Sequence, residues 1–239
     1  MQELEYCIDR AVFAAHPDYR RGVVFVRGAV NNGGAHLQAL LRAEEERLRE
    51  RLQGSNIADH PAIAAWRDAY RRFGAKPSEH RSSIEAMARR VIKPDHLPTI
   101  NPLVDIGNIV SLRHMLPAGV HPLPPTIARI ELRPAVPGDT FLPSVGGTAE
   151  TPTEGEVVLC QGHDVLTRRW TWRQAAGTQT LPETSNVFFN VDGLPPTTLD
   201  QVRTGMRDIE QLVEEHTGGR IVLSAVLSAD RPVLVFPSD

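Results

Sequence analysis

The strongest constraint in this sequence is a hydrophobic period that agrees with its own capping signals. Near the C-terminus Leu199, Val202, Met206, Ile209 and Val213 recur at helical spacing, Thr198 stands where an N-cap belongs, and Gly218 and Gly219 close the run. Two further stretches repeat the agreement. Leu37, Leu40, Leu41, Leu48 and Leu52 share one face of a Glu/Arg-rich segment that stops at Gly54. Ser82 and Glu85 form a capping-box pattern before Ile84, Met87, Ala88 and Val91, with Arg89 and Arg90 facing outward. Between and after these helices lie short β-rich runs at Gly22 to Arg27, Ile127 to Leu132, Glu156 to Cys160, Asn186 to Val191, Ile221 to Leu227 and Val233 to Phe236. The fold class is therefore α+β, a mixed sheet with flanking helices, with strands from both ends of the chain joining a common sheet. Val24, Val26, Ile130, Val158, Phe188, Leu223 and Val226 are the expected core.

The 19 prolines concentrate in the middle and the last third, notably in HPLPP and VPGDTFLPSVGG, and Gly138 to Gly155 reads as a long surface loop rather than a domain boundary, so residues 1–239 are expected to form one domain. With 41% apolar and 23% charged residues the chain can bury a core, which argues against intrinsic disorder. A net charge of -3 excludes binding driven by overall positive charge, as in a histone. Cys7 and Cys160 cannot make a disulfide framework or a zinc knuckle, and the acidic N-terminus fits neither a signal nor a transit peptide. The longest apolar run, Ile221 to Ala229, falls far below the roughly 18 residues of a membrane span. A soluble, cytoplasmic protein is expected.

Candidate chemistry concentrates in a few places. In Ile100 to Arg113, Asn101 and Pro102 make an N-cap and first-turn pair, and Asp105 and Asn108 follow one turn apart among apolar residues. Such half-buried polar groups either tie a neighbouring loop to the helix or face a ligand. In TRRWTWRQ, strict alternation places Trp170, Trp172 and Gln174 on one strand face and Arg169, Thr171 and Arg173 on the other. This is either a tryptophan-rich core face with solvated arginines or a platform for a flat or anionic ligand, with Arg173 and Gln174 the preferred contacts. From Arg67 to Lys93, eight Lys or Arg stand against three acidic residues, and Arg71, Arg72, Lys76, Arg89 and Arg90 are the candidates for contact with a nucleic-acid phosphate backbone or for a solvated helix face. The 9 histidines lack metal-ligand spacing, and no G-x-S-x-G elbow or P-loop occurs, so no metal or other cofactor is expected.

Ile100-Asn-Pro-Leu-Val-Asp-Ile-Gly-Asn-Ile-Val110 resembles the I-N-x-V-V-D-x-T-N-Y-V pattern of the B3/B4 editing domain of the phenylalanyl-tRNA synthetase β chain. The resemblance is closer still to freestanding proteins built from that domain. It extends through Phe73-Gly74, Lys76-Pro77-Ser78, Arg81-Ser82-Ser83, Ser111-Leu112, Leu116-Pro117, Gly155 to Val158, Arg168 to Gln174 and Thr184 to Gly193, in order, from about residue 5 to about residue 230. It implies a B3/B4-type fold and a metal-independent site that hydrolyses a wrongly attached amino acid, typically tyrosine, from phenylalanine tRNA. Partners would be tRNA or aminoacyl-tRNA, or a free amino acid, with no DNA and no membrane. The sequence also departs from the pattern. The synthetase's threonine is Gly107 here, its histidine falls on Gly119, and its glutamate falls on Asn190. His121, two places on, can stand in for the histidine only if the loop shifts. The expected site is Asn108 and His121 as catalytic groups, with Asp105, Trp172, Arg173, Gln174 and Asn190 around the substrate. The alternative is a noncatalytic module that binds tRNA or an amino acid.

Overall fold

The computed structural model describes residues 3–93, 95–123 and 129–237. In chain order the elements are β1 (Glu3–Ile8), α1 (Arg10–Ala15), β2 (Arg20–Arg27), α2 (Ala35–Arg51), α3 (Pro61–Arg72), α4 (Ser83–Val91), α5 (Pro102–His114), β3 (Ala118–Pro122), β4 (Arg129–Pro134), β5 (Val157–Gln161), β6 (Asp164–Arg168), β7 (Arg173–Gln174), β8 (Val187–Gly193), α6 (Leu199–Thr217), β9 (Arg220–Leu227) and β10 (Val233–Pro237). The capping logic carries over into the fold. Thr198 and Gln201 form a reciprocal capping box on α6, and Gly218 ends it in the left-handed conformation. Asn101 caps α5 by accepting from the Val104 N–H, and its Nδ2 donates to the Thr180 carbonyl. Ser82 caps α4, but Glu85 does not reach back. Its buried carboxylate instead takes hydrogen bonds from Arg67 and Arg89. Among the described residues no helix is long and apolar enough to cross a membrane.

The strands form two sheets rather than one. A six-stranded sheet runs β10-β1-β4-β5-β6-β7, antiparallel except for the β1–β4 pair, and a four-stranded antiparallel sheet runs β3-β8-β2-β9. The two chain ends do meet, in the β1–β10 pair, as expected. The early strand β2 likewise pairs with the late strands β8 and β9 in the other sheet, and the apolar inner faces of the two sheets pack on each other. Tyr6 of β1 meets Phe25 of β2 and Phe188 of β8 edge-on, with centroids 6.1 and 5.8 Å apart, and Phe25 also touches Phe236 of β10. The outer face of the four-stranded sheet is covered by α6. At Gly22 the approach is so close that a Cβ would lie 2.4 Å from the Met206 sulfur. Strand parity then sends Arg21, Val23 and Phe25 inward to the other sheet.

One apolar cluster takes residues from both sheets and the helices, including Val24, Val26, Ile130 and Phe188. Val158 sits in a smaller cluster with Phe141, Cys160 and Val165, beneath the 138–155 loop, while Leu223 and Val226 on the edge strand β9 are only half-buried. The sequence-based strands at Gly22, Glu156, Asn186, Ile221 and Val233 coincide with β2, β5, β8, β9 and β10 to within two residues. Ile127 and Pro124-Pro125 lie outside the described residues.

Candidate functional site

A cavity of about 360 Å³ opens where the edge strand β3, the first turns of α4 and the 167–174 segment converge. Asn108, His121, Trp172, Arg173, Gln174 and Asn190 all line it, so helix, strand and turn residues from positions 108 to 190 meet in one place. The register explains part of this convergence. In the β3–β8 pair Gly119 stands opposite Asn190 and His121 opposite Phe188. Because side chains alternate along a strand, Gly119 and His121 share a face, and His121 reaches the cavity with no shift of the loop. A Cβ built on Gly119 would meet nothing within 4 Å, which leaves open space on the wall opposite Asn190. At Gly107 the reverse holds. A Cβ there would lie 3.3 Å from the Ala118 carbonyl oxygen, so the glycine lets α5 close on β3 and brings Asn108 to the cavity's edge.

The floor is a buried polar network that the sequence reading did not find. Arg21 and Asp192 are cross-strand partners in the β2–β8 register. Arg21 donates from Nε and Nη2 to the two oxygens of Asp192, at 2.7 and 3.0 Å. Tyr19 donates its hydroxyl to the same Asp192 carboxylate and accepts from the Trp170 indole at 3.1 Å. On the other side Arg21 Nη1 donates to the Tyr6 hydroxyl at 2.9 Å, and Tyr6 donates to Asn190 Oδ1 at 2.6 Å. Burial holds both phenols protonated, well above their ordinary range, against the opposing pull of Arg21. The signal for this network was parity. Arg21 is in phase with the inward Val23 and Phe25, and Asp192 with Phe188 and Asn190, but a charge at a strand end reads as a terminus until its partner is known.

The alternation expected for TRRWTWRQ fails, because the chain turns there. Arg169 and Trp170 adopt left-handed φ of 44° and 63°, a conformation costing roughly 1 to 2 kcal/mol for such residues. Trp170 is core, packed edge-on against Tyr19 and Trp66 with centroids 4.8 and 5.3 Å apart. Trp172 is half-buried on the cavity wall, its ring 4.5 Å from the Arg169 guanidinium carbon and 6.0 Å from that of Arg173. Arg173 is exposed at the rim, bonded to the Pro143 carbonyl and, among the described residues, to no carboxylate. Gln174 clamps the structure, its Nε2 donating to the Val120 and Thr178 carbonyls. Asn108 is half-buried, and its amide makes no hydrogen bond among the described residues.

His121, expected as a catalytic group, is held in the cavity wall. Its ring stacks on Phe188 at 5.1 Å and 8°, Nε2 pairs with the Thr167 hydroxyl at 2.8 Å, and Nδ1 is buried without a partner. Burial, reinforced by the nearby Arg21 charge, pushes its pKa down to about 3, so the imidazole is neutral throughout the physiological range. Asp105 does not line the cavity. Its carboxylate accepts from the Ile100 N–H at 3.1 Å, tying the preceding segment to α5, and burial raises its pKa despite that bond.

The basic segment is threaded with ion pairs. Arg71 pairs with Asp68, Lys76 with Glu79, Arg89 with Glu85 and Arg90 with Asp95, while Arg72 donates to the Ala15 carbonyl. Ser83, Ala86 and Met87 of α4 line the cavity, and helical spacing places Arg90 one turn further along that face.

The model of the B3/4 domain family matches residues 65–212. The chain belongs to the B3/4 domain family. The match holds α4, α5, β3, the 167–174 segment and β8, whereas Tyr6, Tyr19 and Arg21 of the cavity floor precede it, so this B3/4 chain completes its site with its own N-terminal strands. Among solved structures the B3/4 chain is similar to an N-terminal fragment of the phenylalanyl-tRNA synthetase beta-subunit from Pyrococcus horikoshii, with 13% identity and a TM-score of 0.48 over 92% of this chain and 53% of that one. It thus spans about half the length of that fragment. No curated protein matches it.

Proposed function

We propose a tRNA-synthetase-related function for this B3/4 protein, namely hydrolysis, in trans, of the ester that links a wrongly attached amino acid to a tRNA. The observation that carries the reading is the amide of Asn108, unpartnered among the described residues, on the rim of a cavity that also holds Trp172 and an Arg173 with no carboxylate among those residues. An aminoacyl ester is already activated, so a positioned water and a polarised carbonyl suffice, with no covalent nucleophile. In this reading Asn108 orients the ester or the water, Trp172 gives a stacking face for adenine or an aromatic side chain, and Arg173 meets a phosphate or carboxylate. His121 contributes as a neutral hydrogen-bonding wall through Thr167. Arg71, Arg72, Lys76, Arg89 and Arg90 supply the outer electrostatic surface, where exposed pairs exchange readily for phosphate contacts. The similarity of Ile100 to Val110 to the synthetase editing motif supports the same chemistry. The test is release of amino acid from a panel of mischarged tRNAs; no hydrolysis above the uncatalysed rate defeats the enzyme reading.

A second reading, a noncatalytic module for tRNA or a free amino acid, is favoured by one observation. Among the described residues the cavity wall offers no effective general base, because a pKa of about 3 makes the His121 imidazole a poor proton acceptor near neutral pH and Asp192 is fully engaged by Arg21 and Tyr19. Saturable binding without turnover would establish it.

A further inference from the structure

The polarity of the cavity floor is fixed by the protein. Arg21 has only donors, so the Tyr6 oxygen accepts from it, and the phenol's own proton must go to the remaining neighbour, Asn190. Asn190 therefore presents Oδ1 downward to Tyr6, and its Nδ2, which makes no bond to the described residues, is left on the cavity side. Turning the amide over would set Nδ2–H against a phenol oxygen that is already accepting, and would orphan the phenol proton in a buried site. The neighbouring groups agree in sign. Among the described residues Asp192 is the one carboxylate on the wall, with both its oxygens occupied, and Arg173 at the rim has no acidic partner.

We infer that the floor of this cavity selects a hydrogen-bond acceptor, the carboxylate or carbonyl oxygen of a planar or aromatic ligand, through an Asn190 Nδ2 whose orientation Tyr6 and Arg21 set from beneath. Asn190 is the specificity-determining residue and Tyr6 the positioning residue that acts through it. The inference rests on the cavity being a ligand site. It narrows the substrate class to molecules that offer an acceptor at that depth and disfavours those that bring a donor.

Benzoate and benzamidine share a flat shape and have opposite hydrogen-bonding polarity and opposite charge, so the ratio in Arg173→Gln, where the rim charge is gone, isolates the contribution of the floor. Titrated into the full chain with chemical shifts as the readout, benzoate binds about tenfold or more tightly than benzamidine, the scale of one mismatched buried hydrogen bond. Arg173→Gln lowers both the affinity for benzoate and the salt dependence but keeps a preference for it. Tyr6→Phe frees the amide to turn over and narrows the ratio at least threefold. The double variant Tyr6→Phe/Asn190→Leu removes the amide and the phenol that orients it, at the cost of the Arg21 Nη1 bond to Tyr6, so its folding is checked by thermal unfolding; folded, it loses the preference that remains in Arg173→Gln. Equal affinity in the wild type, or a ratio unmoved by Tyr6→Phe and by the double variant, overturns the inference while leaving the deacylation assay to judge the proposed function. If neither probe binds, the inference falls as well, and activity on mischarged tRNA then decides separately whether the hydrolytic reading stands.

Discussion

The floor and the rim of the cavity obey different rules. On the floor Arg21, Asp192, Tyr6, Tyr19, Trp170 and Asn190 are buried and joined into one network. At the rim, among the described residues, Asn108 has no hydrogen-bond partner, the Arg173 guanidinium bonds to a carbonyl and lies over the Trp172 ring without a carboxylate, and Trp172 is half open. A buried polar group must be satisfied or it costs free energy, so the floor is determined by the fold. The rim groups lie within reach of water and can exchange it for a ligand. The contrast teaches that the rim is where ligand-directed substitutions should act, and the floor is where stability and orientation are set.

The largest effect tests the floor. Asp192→Asn leaves Arg21 as a buried, poorly compensated cation and is expected to lower unfolding free energy by about 3 to 5 kcal/mol, measured by denaturant unfolding. The apolar double replacement Arg21→Met/Asp192→Leu should recover much of that loss. A destabilisation below about 1 kcal/mol for Asp192→Asn would show that the floor is not the continuous network described.

His121 gives the floor a pH signature. Its folded pKa, about 3, lies below the ordinary 6.5, so between those values the unfolded chain binds the extra proton. Stability from this group is complete above about pH 6.5 and is lost as pH falls toward 3, at a limiting slope of about 1.4 kcal/mol per pH unit. His121→Gln, which retains an amide for Thr167, should flatten that slope between pH 6 and 4 relative to the wild type. Equal slopes in the two proteins would mean that the ring is not held neutral.

At the rim the expected loss is kinetic. If the proposed hydrolysis holds, Asn108→Ala lowers kcat/KM by roughly 10- to 1000-fold, about 1.4 to 4 kcal/mol in barrier, with thermal stability within about 1 kcal/mol of the wild type because no internal bond is broken. A matching fall in stability would move Asn108 from the rim to the floor and break the comparison.

Legibility in the sequence follows the same division between local and distant causes. The helices α2, α4, α5 and α6 could be read because period and cap are local, and the Asn101 and Thr198 caps sit where their side chains imply. The convergence of Asn108, Trp172, Arg173 and Asn190 came from the family pattern and not from any spacing. What escaped depended on partners far away in the chain. Tyr6 and Asn190 are 184 positions apart, and β1, too acidic to read as a strand, gains its place only between β10 and β4. The TRRWTWRQ alternation failed because the two left-handed residues at 169 and 170 reverse the chain where the pattern implies extension, and the core burial of Trp170 supports them. Asp105 followed its bland reading, as a tie between α5 and the residue five places before it.

The smallest effects belong to the outer basic surface. Arg71 and Lys76 lie in exposed i,i+3 pairs with Asp68 and Glu79, geometry that adds little to folding because water and salt screen both partners. Arg71→Ala and Lys76→Ala should therefore change unfolding free energy by less than about 1 kcal/mol. If these side chains contact tRNA phosphates, each removal lowers affinity at low salt and reduces the slope of log K against log[salt] by roughly 0.7 to 0.9, equally for charged and uncharged tRNA. Arg173→Ala should differ in kind. Placed beside Trp172 on the cavity rim, it should weaken binding of the charged 3′ end more than that of uncharged tRNA. Identical losses for Arg173→Ala and Arg71→Ala on both tRNA forms would merge the rim with the general surface and leave the floor as the only specialised part of the site.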